Sequence, residues 1–189
     1  MSAVTFDLAA SQPLPTVSIC AGRVMVLAGL TFGAANLIQW GVLSGTSGWH
    51  PAVLSLSWPI AIGAFFMGLF RLRRAGGEAA LRVARWSRSA ILIQIGAALA
   101  LLGLSAVTQD WGLMRWTSAV GLTLYGLAWA IAAARTRTAN MAAIAVTAFA
   151  GVAAMALRFG TPDPYLLYAG ALALVALLPG LWLALGRRL

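Results

Sequence analysis

Six apolar runs follow one another between residues 22 and 186, and a single basic stretch, RLRRAGGEAALRVARWSR at 71–88, divides the second from the third. A helix of about 20 apolar residues crosses a hydrocarbon core of about 30 Å. Lipid offers the backbone no hydrogen-bond partner, so a segment that spans it must satisfy its own N–H and C=O groups. The runs fall at 22–43, 52–70, 89–107, 114–134, 139–157 and 165–186. The expected fold is therefore all-α: a polytopic membrane bundle of six transmembrane helices in three hairpins. Composition agrees, because only 9% of the 189 residues are charged and 61% are hydrophobic. A soluble domain carries about 25% charged residues, and no stretch outside the runs is long enough for a separate soluble domain.

Orientation follows from the arginines, which supply all thirteen basic residues. With the N-terminus inside, Arg23, the six of the central stretch, Arg135, Arg137, Arg187 and Arg188 fall on the inner side. Only Arg115 and Arg158 fall on the outer side. Cationic residues concentrate in short cytoplasmic loops, so both termini are predicted to be cytoplasmic (N-in/C-in). Alanine and arginine richness without lysine suits a GC-rich coding genome, and the expected location is a bacterial inner (cytoplasmic) membrane. The net charge of +9 sits at helix ends rather than along a soluble face. That pattern points to anionic lipid headgroups and away from nucleic acid.

The connections are equally plain. Residues 1–21, with Pro13, Pro15 and Asp7, read as an irregular cytoplasmic tail. The basic segment 71–88 reads as a cytoplasmic loop whose arginines, Arg71, Arg73, Arg74, Arg82, Arg85 and Arg88, contact lipid headgroups. Its second half, 77–88, is expected to lie as an amphipathic helix on the inner surface. There Glu78 is spaced to pair with Arg82, and Leu81, Ala84 and Trp86 would dip into the interface. Pro179 is expected to kink the sixth span and free a carbonyl one turn earlier. Gly29 and Gly33 form a GxxxG pair, and Ala139, Ala143, Thr147 and Gly151 make a smooth face on the fifth span. That face places the fifth span in the bundle interior or at a dimer contact.

Several chemistries are excluded. Retinal and pyridoxal phosphate attach through lysine, and there is none. Cys20 is the only cysteine and His50 the only histidine, so a disulfide, a thiolate cluster and a bis-histidine haem have no ligands. The four acids, Asp7, Glu78, Asp110 and Asp163, all lie outside the spans, where a proton or cation pathway would want one inside. No metal and no cofactor is expected. Gly45-Thr46-Ser47-Gly48 resembles the GxSG string of rhomboid-type intramembrane proteases. In that family the serine opens a helix in mid-fold and its histidine comes from a later helix. Here the string lies in the first loop, close to His50, and reads as a glycine-rich turn.

What remains is a polar layer in the outer half. Asn36 and Gln39 lie one turn apart on the first span; Trp40, Trp58, Tyr125 and Tyr168 share the layer. His50, Gln109, Asp110, Arg115, Arg158 and Asp163 stand at its mouth. Asn36, Gln39, Trp58, Tyr125, His50, Arg115 and Arg158 are the candidate ligand-binding residues; the competing reading makes the two amides interhelical hydrogen bonds. Gln94 has the same two readings. Trp49, Trp111, Trp116 and Tyr165 on one side, and Trp86, Trp129 and Trp182 on the other, form an aromatic belt.

Three functions follow. The first is a non-catalytic accessory, scaffold or lipid-associated membrane component, with a homo-oligomer or another membrane protein as partner. The second is a small oligomeric transporter or channel for a neutral or anionic solute, with Asn36 and Gln39 lining the path. The third is an enzyme of outer-leaflet lipid headgroups acting through His50 and Asp110.

Overall fold

The computed structural model describes residues 16–75 and 77–187. It is all-helical, and six of its helical rods are long and apolar enough to cross a membrane. In order these are α1 (Val17–Leu43), α2 (Val53–Ala75) and α3 (Gly77–Thr108); a 3-10 turn (Trp111–Trp116) leading into α4 (Thr117–Thr136); α5 (Ala139–Leu157); and a sixth rod. The sixth rod comprises α6 (Asp163–Leu172), a π turn (Ala173–Leu177) and α7 (Leu178–Ala184).

Helix α1 starts five residues earlier than its apolar run suggests. The Thr16 hydroxyl accepts the Ile19 N–H at 3.4 Å, which caps the first turn and lets Val17-Ser18-Ile19-Cys20 join the helix. The expected irregular tail therefore ends by residue 16; residues 1–15 lie outside those described. The basic stretch is not a loop either. Helix α2 carries Arg71, Arg73 and Arg74 to its end, and α3 begins immediately at Gly77, whose φ of +61° makes the reversal without a side-chain clash.

The first turns of α3 are amphipathic, as the sequence indicates, but Ala84 faces the bundle while Leu81 and Trp86 face outward. Ala80, Val83 and Ala84 are buried in the bundle core, while Arg82, Arg85 and Arg88 are exposed. Trp86 is 62% exposed and belongs to the outside of the helix. Glu78 and Arg82 are both exposed and make no ion pair within 4 Å. Continuing as one helix from Gly77 to Thr108 lets α3 bury this small-residue face against the bundle, which a detached surface helix would leave unmatched.

The hub of the bundle is α1, which packs on α2, α3, α6, the π turn and α7. Glycines set the α1–α7 approach. A Cβ added to Gly22 would stand 2.4 Å from the Ala184 nitrogen, and one on Gly180 would stand 2.8 Å from the Val26 nitrogen. Backbone meets backbone here, the arrangement by which helices associate where lipid supplies no hydrophobic incentive. Gly29 also sits close, with Leu177 at 3.1 Å from its would-be Cβ, whereas a Cβ on Gly33 would meet nothing within 4 Å. The working pair on this face is thus Gly22 and Gly29, two turns apart.

The interior place expected for α5 belongs to α1. Helix α5 touches only α4, α6 and the π turn among the described elements. Its buried residues are Ile144, Ala145, Ala148 and Met155; Ala139 and Ala143 of the smooth row are exposed. The reason is one-sided packing. A Cβ on Gly126 of α4 would be 3.2 Å from Ala148 and Phe149, and one on Gly151, the last residue of the predicted row, would be 2.9 Å from Leu122 and 3.0 Å from Ala171, so the row makes close contact at its Gly151 end while Ala139 and Ala143 stay outside.

The sixth rod shows how the chain accommodates Pro179. The ladder widens over Ala173–Leu177, with the Leu178 N–H reaching back to the Ala173 carbonyl. Val175 stands four residues before the proline, so its carbonyl lacks the usual α-helical donor. The Tyr125 hydroxyl on α4 donates to it at 2.9 Å. Val175 is fully buried, where an unpaired carbonyl is costly.

Candidate functional site

The buried polar residues are distributed over the helix interfaces, each against a different neighbour. Asn36 is fully buried on α1. Its Nδ2 donates to the Phe32 carbonyl one turn back at 2.8 Å, and its Oδ1 accepts the Ser118 hydroxyl of α4 at 3.2 Å. Three residues on, and turned by about 60° on the helix surface, Gln39 faces α2 instead. Its Nε2 donates to Ser57 Oγ at 3.2 Å, and that hydroxyl donates to the Leu54 carbonyl at 3.0 Å. One turn below Asn36, Phe32 packs between Trp58 and Phe65, with ring centroids 5.9 and 5.3 Å away. Trp58 therefore packs on Phe32, one turn from Asn36, as an apolar wall.

Gln94 ties a second junction. Its Nε2 donates to the Thr117 carbonyl at the first residue of α4, and its amide occupies the space a side chain at Gly121 would need, 2.8 Å from the would-be Cβ. Tyr125 does not join the Asn36 layer. Its hydroxyl is engaged by Val175, and its ring lies edge-on to Trp129 at 6.2 Å. Among the described residues one buried side-chain polar atom has no partner, Ser105 Oγ on α3.

The mouth residues act locally. His50 is exposed, and its Nδ1 accepts the Ala52 N–H at 3.2 Å, closing the turn into α2. Asp110 caps the 3-10 turn through Oδ1, which accepts the Gly112 N–H at 2.9 Å. No hydrogen bond joins His50 to Asp110 among the described residues. Arg158 pairs with Asp163 at 3.8 Å across the α5–α6 turn, with the arginine exposed and the aspartate half-buried, so the pair contributes little to stability. Arg115 is exposed and makes no ion pair with Asp110. Stacking of Trp116 on Phe159, with centroids 4.3 Å apart, brings the elements carrying Arg115 and Arg158 together at this end. Gly45-Thr46-Ser47-Gly48 is a turn: both glycines have positive φ, and the Ser47 N–H folds back onto the Gly41 carbonyl at 3.0 Å.

At the opposite end stand Arg23, Arg71, Arg73, Arg74, Arg135, Arg137 and Arg187. They are gathered by the antiparallel neighbours that bring Leu27 against Gly68 and Gly22 against Ala184. Arg74 lies over the Phe70 ring at 4.2 Å and Arg187 over Trp182 at 4.5 Å, geometries that hold a guanidinium against an apolar surface without neutralising it.

The seven candidate ligand residues are thus not gathered around one cavity. Asn36 bonds Ser118, Gln39 bonds Ser57 and Trp58 stacks on Phe32, while Tyr125 belongs to the break in the sixth rod, and His50, Arg115 and Arg158 stay on the surface. Sequence reading passed over Ser57 and Ser118, the hydroxyl partners of the two amides. Their only signal was a small polar residue inside or just at the start of an apolar run, opposite an amide on α1. Comparisons with protein-family models, with curated proteins and with solved structures return no match.

Proposed function

We propose that the protein is a non-catalytic, multi-pass component of a bacterial cytoplasmic membrane, an accessory or scaffold subunit held with its arginine end in the cytoplasm by anionic lipid. One observation carries this reading. Three of the four side-chain amides within the spans, Asn36, Gln39 and Gln94, each join one helix to another, and the fourth, Asn140, is exposed in the first turn of α5. Groups placed to bind a solute would face a water-accessible space; these instead fix the register of α1 with α2 and α4, and of α3 with α4. Arginines at one end supply an interfacial anchor, each worth about 1 kcal/mol near an anionic surface.

Mild-detergent purification from native membranes, with mass spectrometry of what accompanies the chain, tests the reading. A stoichiometric membrane-protein partner is the expected result. Solute flux through vesicles holding the purified protein alone, abolished by Asn36→Leu or Gln39→Leu without loss of folding, would replace this reading with transport. Reporter fusions at residue 80 and at the C-terminus should both report the cytoplasm. Neutralising four of Arg71, Arg73, Arg74, Arg82, Arg85 and Arg88 should loosen that preference.

A further inference from the structure

We infer that the groove between the arginine-end halves of α4 and α5 is a binding site for one anionic phospholipid, with an acyl chain in the groove and the phosphate on Arg137. The groove is open along one side and has a volume of about 510 Å³. Its walls are apolar and small: Ala130, Ala134, Ala142, Val146 and Phe149 contribute, and Arg137 is its one charged lining residue. Ala133 and Ala145, both buried, form the floor, so the hollow comes from alanine packing and not from a missing side chain.

Charge selects the occupant. No carboxylate lines the groove, Arg137 makes no ion pair among the described residues, and Arg135 lies two residues away on the same exposed turn. Of the chain's four acids, Asp110 and Asp163 lie at the opposite end, Glu78 lies in the first turn of α3 and does not line the groove, and Asp7 lies outside the described residues. A second copy meeting this groove with its own α4–α5 face would bring Arg135 and Arg137 to Arg137, whereas a phosphodiester brings the missing negative charge. The backbone adds a point. Arg137 ends α4 at φ +54°, a conformation glycine adopts without strain, with its N–H bonded to the Ala133 carbonyl at 2.7 Å. Arginine holds this position at a conformational cost, and it is the charged residue that lines the groove.

This inference deepens the lipid-associated part of the proposed function and does not depend on a protein partner. The variants Arg137→Gly and Ala142→Phe test it. The full-length protein is reconstituted in mixed phosphatidylglycerol–phosphatidylcholine nanodiscs and released into mild detergent, and retained lipid is counted by native mass spectrometry. Wild type should retain one phosphatidylglycerol in preference to phosphatidylcholine. Arg137→Gly keeps the cap and relieves the strain, so thermal stability should hold or rise. The preference should still fall about fivefold, the equivalent of one arginine near an anionic surface. Ala142→Phe places a ring in the groove from an exposed position and should abolish retention of the bound lipid in a folded protein. Equal retention of the two lipids by wild type, or unchanged preference in Arg137→Gly, would overturn the site. So would a dimer that Ala142→Phe dissociates, because the occupant would then be a second copy. Failure to find a protein partner with lipid retention intact would remove the scaffold reading and leave this one standing.

Discussion

The Tyr125–Val175 hydrogen bond exists because of Pro179, and that dependence can be measured. Tyr125→Phe removes only a hydroxyl; the ring keeps its place beside Trp129. The Val175 carbonyl, in a fully buried residue, then loses the donor 2.9 Å away and has no N–H at position 179 to fall back on. Leaving a buried acceptor unpaired costs about 1–3 kcal/mol, while polar contacts between membrane helices average about 0.6 and reach about 1.7 kcal/mol. A loss of about 1–1.5 kcal/mol is expected. In the Pro179→Ala background the N–H returns, the ladder can close by the ordinary i to i−4 bond, and the same tyrosine change should cost about 0.5 kcal/mol or less. The coupling between the two sites is then about 1 kcal/mol, readable by unfolding the purified single and double variants in mixed detergent micelles with helicity as the signal. Equal costs of Tyr125→Phe in both backgrounds would refute the idea that the tyrosine compensates for the proline.

The glycine approach makes a second prediction. Gly22→Ala must part α1 and α7 by about 1 Å to relieve the contact with the Ala184 nitrogen and should destabilise by about 1–3 kcal/mol. Gly33→Ala meets no neighbour and should be neutral or stabilise by up to about 1 kcal/mol through helix propensity; matching losses in a thermal-aggregation assay would count against it. The serines make a third. Ser118→Ala removes the partner of the buried Asn36 oxygen and should cost about 1 kcal/mol. Ser105→Ala removes a hydroxyl that bonds nothing and should be neutral or favourable under the same detergent titration.

The parts legible in advance were those set by one-dimensional pattern. Run length gave the six rods, and Pro179 announced both a break and an orphaned carbonyl. What pattern does not contain is which face of a rod meets which neighbour. A small-residue row says only that close approach is possible. On α5 the row at Ala139 and Ala143 stays exposed, while the closest approach of all falls to Gly22 and Gly180, in different helices and far apart in the chain. The basic stretch failed for a related reason. Arginines every three or four residues mark one side of a helix as solvent- or headgroup-facing but leave open whether the other side meets lipid or protein. Ala80, Val83 and Ala84 settle it by being small enough to meet the bundle core. Asn36 and Gln39 were visible as polar groups in an apolar run, yet their partners are short hydroxyls indistinguishable in sequence from ordinary helix serines.

The pairing of α1 with α7 also bears on biogenesis. Gly22 and Gly180 meet across 158 positions of chain, and ribosomes add about 5–20 residues per second. Helix α1 therefore waits about 8–30 s for α7 to be made before its closest contact can form. During that interval its glycine face lies open to lipid, and any partner that shields it acts on the nascent protein. A chain truncated before residue 178 would still insert five rods, but with its central helix unsheathed, a form that membrane quality-control proteases are suited to remove.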